Sequence, residues 1–102
     1  MIFEWDEAKN RTNILKHGFS FRRAQTIFDD VTFDYEDNRK KYGERRIISI
    51  GLMENIAVIV VTHTDRNGIT RIISARPSNK KERKDYETHY RKIRKRNRGD
   101  AR

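Results

Sequence analysis

The spacing of apolar residues changes period along the chain, and each change marks an element. Residues 2–5, "IFEW", read as a short strand or an extended lead-in. Asp6 is suited to cap a helix, and Glu7 then falls in the first turn, where the helix dipole favours an acid. Ala8, Thr12 and Leu15 lie on one helical face, and Lys16-His17-Gly18 supplies terminal cations and a glycine stop. Ser20 opens a second helix whose Phe21, Ala24, Ile27 and Phe28 are spaced to meet a core. The period then drops to two. "VTFDYED" alternates as a half-exposed strand does, "NRKKYG" is a polar loop, and three β-branched runs of strand length follow. Within them "IAVIVV" does not alternate, which predicts a central strand covered on both faces. Pro77 closes the last strand. Asn79 with Glu82 three residues on has the form of a capping box, ahead of a basic helix whose apolar stripe is Tyr86, Tyr90 and Ile93. The expected fold is α+β: two N-terminal helices, a four-stranded antiparallel sheet and a C-terminal basic helix.

Turn chemistry decides which side chains share a sheet face. A two-residue hairpin at Glu54-Asn55 pairs Met53 with Ile56, Ile48 with Val61 and Arg46 with His63. The next turn, "DRNG", has two readings. With Asn67-Gly68 as a two-residue turn, Thr64 meets Arg71, and His63 faces away from it. With Asp65 first and Gly68 fourth in a type I turn closed by a bulge, His63 meets Arg71. Asp at the first position and Gly at the fourth favour the second register. It sets Arg46, His63 and Arg71 side by side on three strands, an anion site around a titratable group. Flanking guanidinium groups would disfavour imidazolium and keep His63 a neutral base, while the planar donors of arginine match phosphate oxygens.

Charge sharpens this picture. The net +9 is concentrated at the C-terminal end: residues 1–43 carry eight bases and eight acids, residues 44–79 five and three, and residues 80–102 eleven and four. Such a block suits an acidic partner, whether nucleic acid, acidic protein or anionic surface. A length of 102 residues with 34% hydrophobic residues bounds the chain to one lean domain, taken as residues 1–96, with 97–102 as a basic flexible tail. There is no cysteine, so neither disulfide nor thiolate chemistry is available. The start of the chain lacks the apolar run of a signal peptide, and the longest apolar run, residues 56–61, is too short to span a membrane; both fit a cytoplasmic protein. His17, His63 and His89 have no metal-ligand spacing, and there is neither a glycine-rich phosphate loop nor a nucleophile elbow. No cofactor or metal is expected.

Each residue also has a plain structural reading. His63 lies near a strand end, where a hydrogen-bonded surface histidine is at least as common as a catalytic one. Arg46 and Arg71 have acids within reach, Arg76 can bridge to Glu82, and Tyr86 and Tyr90 have the spacing of core contacts. On the residues alone, the reading ends at a polyanion binder with a nuclease as one form of it.

"FEWDEAKN…NILKHGFSF" together with "RIISARPSNKKERKDYE" resembles the BrnT toxin family of bacterial type II toxin–antitoxin systems, over about residues 2–90. Matching positions include Trp5, Asp6, Lys9, Asn13, Lys16, His17 and Gly18 in the first half, and Arg46, His63, Arg71, Ser74, Ala75, Arg76, Glu82, Arg83 and Tyr86 in the second. Where the family tends to have proline after "WD", this chain has Glu7, and either residue suits a helix start. The resemblance implies a RelE-like fold and a metal-independent endoribonuclease that blocks translation. Its neutralising partner would be a BrnA-type antitoxin with a ribbon-helix-helix region, and operator DNA would be reached only through that complex. RNA, free or on ribosomes, becomes the expected substrate. His63, Arg46, Arg71 and Arg76 are then the expected catalytic residues, and Lys80, Lys81, Arg83 and Tyr86 the expected RNA-binding ones. The competing reading is a non-catalytic basic module that binds nucleic acid or an acidic partner.

Overall fold

Capping chemistry sets the helix boundaries. In the computed structural model, which describes residues 1–100 and side chains through residue 96, Asp6 accepts hydrogen bonds from the backbone N–H of Ala8 and Lys9 and opens α1 (Glu7–His17). Gly18, at φ 81°, closes α1 in the left-handed region that glycine tolerates. Ser20 caps α2 (Phe21–Ala24), which tightens at once into a 3₁₀ segment, Gln25–Asp29. Asn79 and Glu82 exchange the two hydrogen bonds of a capping box at the start of α3 (Lys80–Asp100). The backbone of residues 97–100 continues α3; the rest of the tail expectation lies outside the described residues.

The sheet has five strands and is mixed, not four-stranded and antiparallel. Its order is β1-β5-β4-β3-β2, formed by β1 (Ile2–Trp5), β2 (Phe33–Glu36), β3 (Ile47–Met53), β4 (Ala57–Arg66) and β5 (Ile69–Pro77). The N-terminal lead-in becomes β1 by pairing parallel to the first half of β5, from Ile2 opposite Ile69 to Trp5 opposite Ile72. That placement stacks Phe3 near Phe28 and sets the Trp5 ring edge-on to Phe21. The other pairings are antiparallel.

Helices cover both faces. On one side α1, α2 and the 3₁₀ segment bury Phe21, Ala24 and Ile27 against Ile59, Val61, Ile72 and Ala75. On the other, Tyr86 of α3 packs with Ile48, Ile50 and Val60. Ile59, Val60 and Val61 are therefore buried from both sides, as the non-alternating run implied. The expected apolar face of α1 is not the buried one: Leu15 is 88% exposed, and the buried residues of α1 are Asn10 and Asn13. Asn10 accepts a hydrogen bond from the Phe21 N–H, and Asn13 donates to the Phe19 carbonyl. The helix is thus fastened through the backbone of the loop that follows it, where polar groups would otherwise be buried unpaired.

Two turns fix the registers. Glu54 and Asn55 both have positive φ, and the Ile56 N–H bonds the Met53 carbonyl, so the expected two-residue turn forms. Ile56, however, is an extra residue. Met53 pairs with Ala57, and everything beyond shifts by one, so Ile48 meets Thr62 and Ile47 meets His63. In the second hairpin Asn67 and Gly68 have φ of 56° and 82°, the two-residue alternative, and Thr64 pairs with Arg71. Asp65 still contributes through its side chain, which accepts from the Gly68 N–H. A bulge between Thr62 and His63 then changes the register so that Thr62 meets Ser74 and Val60 meets Arg76.

Candidate functional site

The expected Arg46–His63–Arg71 row does not form. Side chains alternate along a strand, so pairing Thr64 with Arg71 sends His63 to the opposite face. There its ring meets Phe28 edge-on at 5.0 Å between centroids, and its Nε2 lies 2.7 Å from Ser49 Oγ. Burial, and not a pair of guanidinium groups, pushes the imidazole below the usual histidine range. His63 is half-buried and packed between Phe28 and Ser49, apart from the arginines.

The three arginines fare differently. By register Arg46, Arg71 and Arg76 all fall on the α3 side of the sheet. Arg46 stacks over the Tyr42 ring at 4.0 Å and lies 3.7 Å from Glu44, with its Nε buried and unbonded. Arg71 lies 3.7 Å from Glu4 of β1. Tyr42 is held in turn by Asp37, whose buried carboxylate also takes two hydrogen bonds from the Arg39 guanidinium. Those bonds hold Asp37 well below the usual carboxylate range and pin the loop that leads into Arg46. Arg76 binds both oxygens of Glu82 at 2.8 and 2.7 Å. This bidentate contact lowers the Glu82 pKa and ties the end of β5 to the first turn of α3.

Of the expected RNA contacts, Lys80, Lys81 and Arg83 are exposed on the first turns of α3, with Lys81 bonded to Asp85. Tyr86 is 5% exposed and belongs to the core, so it offers no face for a base. The cleft beside it, lined by Tyr35, Lys81, Glu82 and Asp85, is mixed in sign; burial, and then the Glu82 carboxylate, raise the Tyr35 phenol above its usual range.

A second concavity has a single sign of charge. Beyond Trp5 the outer edge of β5 has no neighbouring strand, because β1 stops opposite Ile72. Here α1 lies alongside residues 73–76 and leaves a groove of about 430 Å³. It is lined by Ala8, Lys9, Thr12, Asn13, Lys16 and His17 from α1, by Phe21, and by Ile73, Ser74, Ala75 and Arg76 from β5. Its lining includes Lys9, Lys16 and one imidazole, no carboxylate, and Arg76, whose guanidinium is bound to Glu82. Among the described residues Lys9 and Lys16 have no ion-pair partner. The strand adds a donor of its own. Ser78 N–H bonds the Val58 carbonyl, so by antiparallel alternation the Ala75 N–H points away from β4, out of the sheet edge. The residues that resemble the two family motifs, distant in sequence, meet in this groove.

Lys9, Lys16 and His17 were not among the site residues expected from sequence. Their signal was the polar set 9, 12, 13, 16 and 17, which repeats at helical spacing while Ile14 and Leu15 fall on the outer side of α1.

A small α+β domain with an all-cationic groove between a helix and an open strand edge has the build of a protein that holds an anionic chain. The family model described as "Ribonuclease toxin, BrnT, of type II toxin-antitoxin system" matches residues 5–82, and the chain belongs to that family. Membership implies RNA as substrate and an antitoxin as partner. The 1.1 Å crystal structure of the Brucella abortus ribonuclease toxin, BrnT, is similar at a TM-score of 0.58 and 25% sequence identity, covering 78% of this chain and all of that one. No curated protein matches the chain. Among the described residues no helix is long and apolar enough to cross a membrane.

Proposed function

We propose that the protein is a RelE-like, metal-independent endoribonuclease acting in the cytoplasm, and that the α1–β5 groove is its cleavage site. The observation that carries this reading is the convergence of His17, Lys9 and Lys16 with Ser74 and Arg76 around one groove in a ribonuclease toxin family. The RNA 2′-oxygen attacks the adjacent phosphorus and the bond to the 5′-oxygen breaks, leaving a 2′,3′-cyclic phosphate and a 5′-hydroxyl. His17 accepts the 2′-hydroxyl proton, and the departing 5′-oxygen takes a proton from water. Lys9 and Lys16 stabilise the charge on the phosphoryl oxygens, assisted by the outward Ala75 N–H, while Arg76 borders the groove with its guanidinium held by Glu82. Lys80, Lys81 and Arg83 hold flanking phosphates at the α3 end of the same strand. Lysines, one imidazole and no carboxylate are a poor donor set for a divalent cation, which supports chemistry without one.

Cleavage of messenger RNA, free or on ribosomes, would stop translation. A BrnA-type antitoxin with a ribbon-helix-helix region would neutralise the protein by covering the groove and would carry it to operator DNA. RNA cleavage by purified, antitoxin-free protein in excess EDTA tests the reading. Cyclic phosphate and 5′-hydroxyl ends support it. Salt-sensitive binding without cleavage, on free RNA and on translating ribosomes alike, favours the binding module, and cleavage abolished by EDTA contradicts the mechanism.

A further inference from the structure

The outer flank of α3 carries a second cationic surface that the cleavage groove does not use. Lys84, Thr88, Arg91, Lys92 and Lys95 recur at intervals of three, four and seven residues, which puts them on one side of the helix. Tyr86, Tyr90 and Ile93 occupy the opposite side, toward the sheet. All five stripe residues are exposed. From Lys84 to Lys95 the stripe is about 17 Å long at 1.5 Å per residue. Its members line two shallow concavities in succession, the first also bordered by Phe33 of β2 and by Asp85 and His89. Asp85 is the one carboxylate on that rim, and Lys81 already bonds it at 2.9 Å. Arg91 donates to the Glu87 carbonyl oxygen, which leaves its charge uncompensated there.

Over residues 84–96 there are six cations against two acids. The stripe lies past residue 82, where the family match ends, so it is a feature of this chain beyond the matched domain. The two rings that border it, Phe33 and His89, are half-buried and packed against each other at 5.2 Å. Such a surface can grip phosphates but has no platform for bases.

We propose that this stripe is a sequence-independent docking site for an RNA backbone, separate from the cleavage groove, that lowers the KM for long RNA without entering the chemistry. The inference takes RNA as substrate from the functional reading above, but it concerns different residues and a different readout.

The test compares the full-length protein with the triple variant Lys84→Gln, Lys92→Gln, Lys95→Gln. Substrates are a 40-nucleotide RNA and a tetranucleotide from within it, with binding of the long RNA followed by anisotropy over a salt series. Each lost single-strand phosphate contact removes about 0.7 from the slope of log K against log salt, so the variant slope should fall by about 2. The KM for the long RNA should rise roughly tenfold or more at moderate salt, with kcat and tetranucleotide cleavage retained. Wild-type cleavage with an unchanged slope and KM in the variant would overturn the docking site and leave the ribonuclease reading intact. Long-RNA binding without cleavage, and with the expected fall in slope, would do the reverse. An unchanged slope with loss of antitoxin protection would assign the stripe to the antitoxin and overturn the proposal.

Discussion

The His63 imidazole and the Arg71 guanidinium lie on opposite faces of the same sheet, because Thr64, and not His63, stands across from Arg71. One residue of register separates a histidine facing Arg71 from one packed against Phe28. His63→Ala is therefore expected to cleave RNA at close to the wild-type rate while losing about 1–3 kcal/mol of stability, since the buried Ser49 hydroxyl loses its partner. Denaturant unfolding and initial cleavage rates, measured on the same preparation, separate the two effects.

The same residue gives a pH dependence of defined sign. Burial lowers the folded-state pKa of His63 below its unfolded value of 6.5, so the unfolded chain binds the proton more readily. The associated stability is complete above pH 6.5 and is lost as pH falls from there through the folded-state pKa. His63→Gln should remove that part of the stability profile below pH 6.5. A profile that keeps its shape in the variant would show that another group titrates there.

Glu82 should account for a lower segment. Its carboxylate is held below 4.5 first by its hydrogen bonds to Arg76, so its contribution is present above pH 4.5 and disappears as pH falls through the folded-state value. Glu82→Gln is expected to cost about 1 kcal/mol at neutral pH, because it weakens both the Arg76 contact and the capping box. It should also flatten the acid limb of the stability curve.

Gly51 faces the 3₁₀ segment with no room for a side chain. A Cβ there would lie 2.7 Å from Ile27 Cβ and 3.0 Å from Thr32 Cγ2, atoms close to the backbone that cannot swing aside. Gly51→Ala should cost about 1–3 kcal/mol, read as a lower midpoint in urea at unchanged slope.

The fold was legible wherever local chemistry and core contacts agree. The caps at Asp6, Ser20 and Asn79, the stop at Gly18 and the doubly covered "IAVIVV" strand all follow from side chains acting on their immediate neighbours. Three features depended on tertiary choices that local sequence does not encode. β1 exists because β5 offers it an edge. α1 docks through Asn10 and Asn13, so hydrophobic periodicity pointed to the wrong face. Ile56 adds one residue after a correctly placed turn, and that reversed the faces of the paired side chains.

The candidate site turns on two registers: Ile56 moves His63 out of line with Arg46, and the Asn67-Gly68 turn sets Thr64 across from Arg71 in its place. Arg46, Arg71 and Arg76 do share a face, each beside a carboxylate. His63 joins them only in the register that does not form, whereas the histidine that lines the cationic groove is His17 of α1.

RNA cleavage in excess EDTA by His17→Gln, beside wild type and His63→Gln, tests the central claim most directly. Loss of a general base should lower the single-turnover rate of His17→Gln by about 10²–10⁴ with the fold intact, while His63→Gln stays close to wild type. A His17→Gln protein that cleaves at the wild-type rate, or a His63→Gln protein that folds and binds RNA but does not cleave, would contradict the assignment of the α1–β5 groove as the cleavage site.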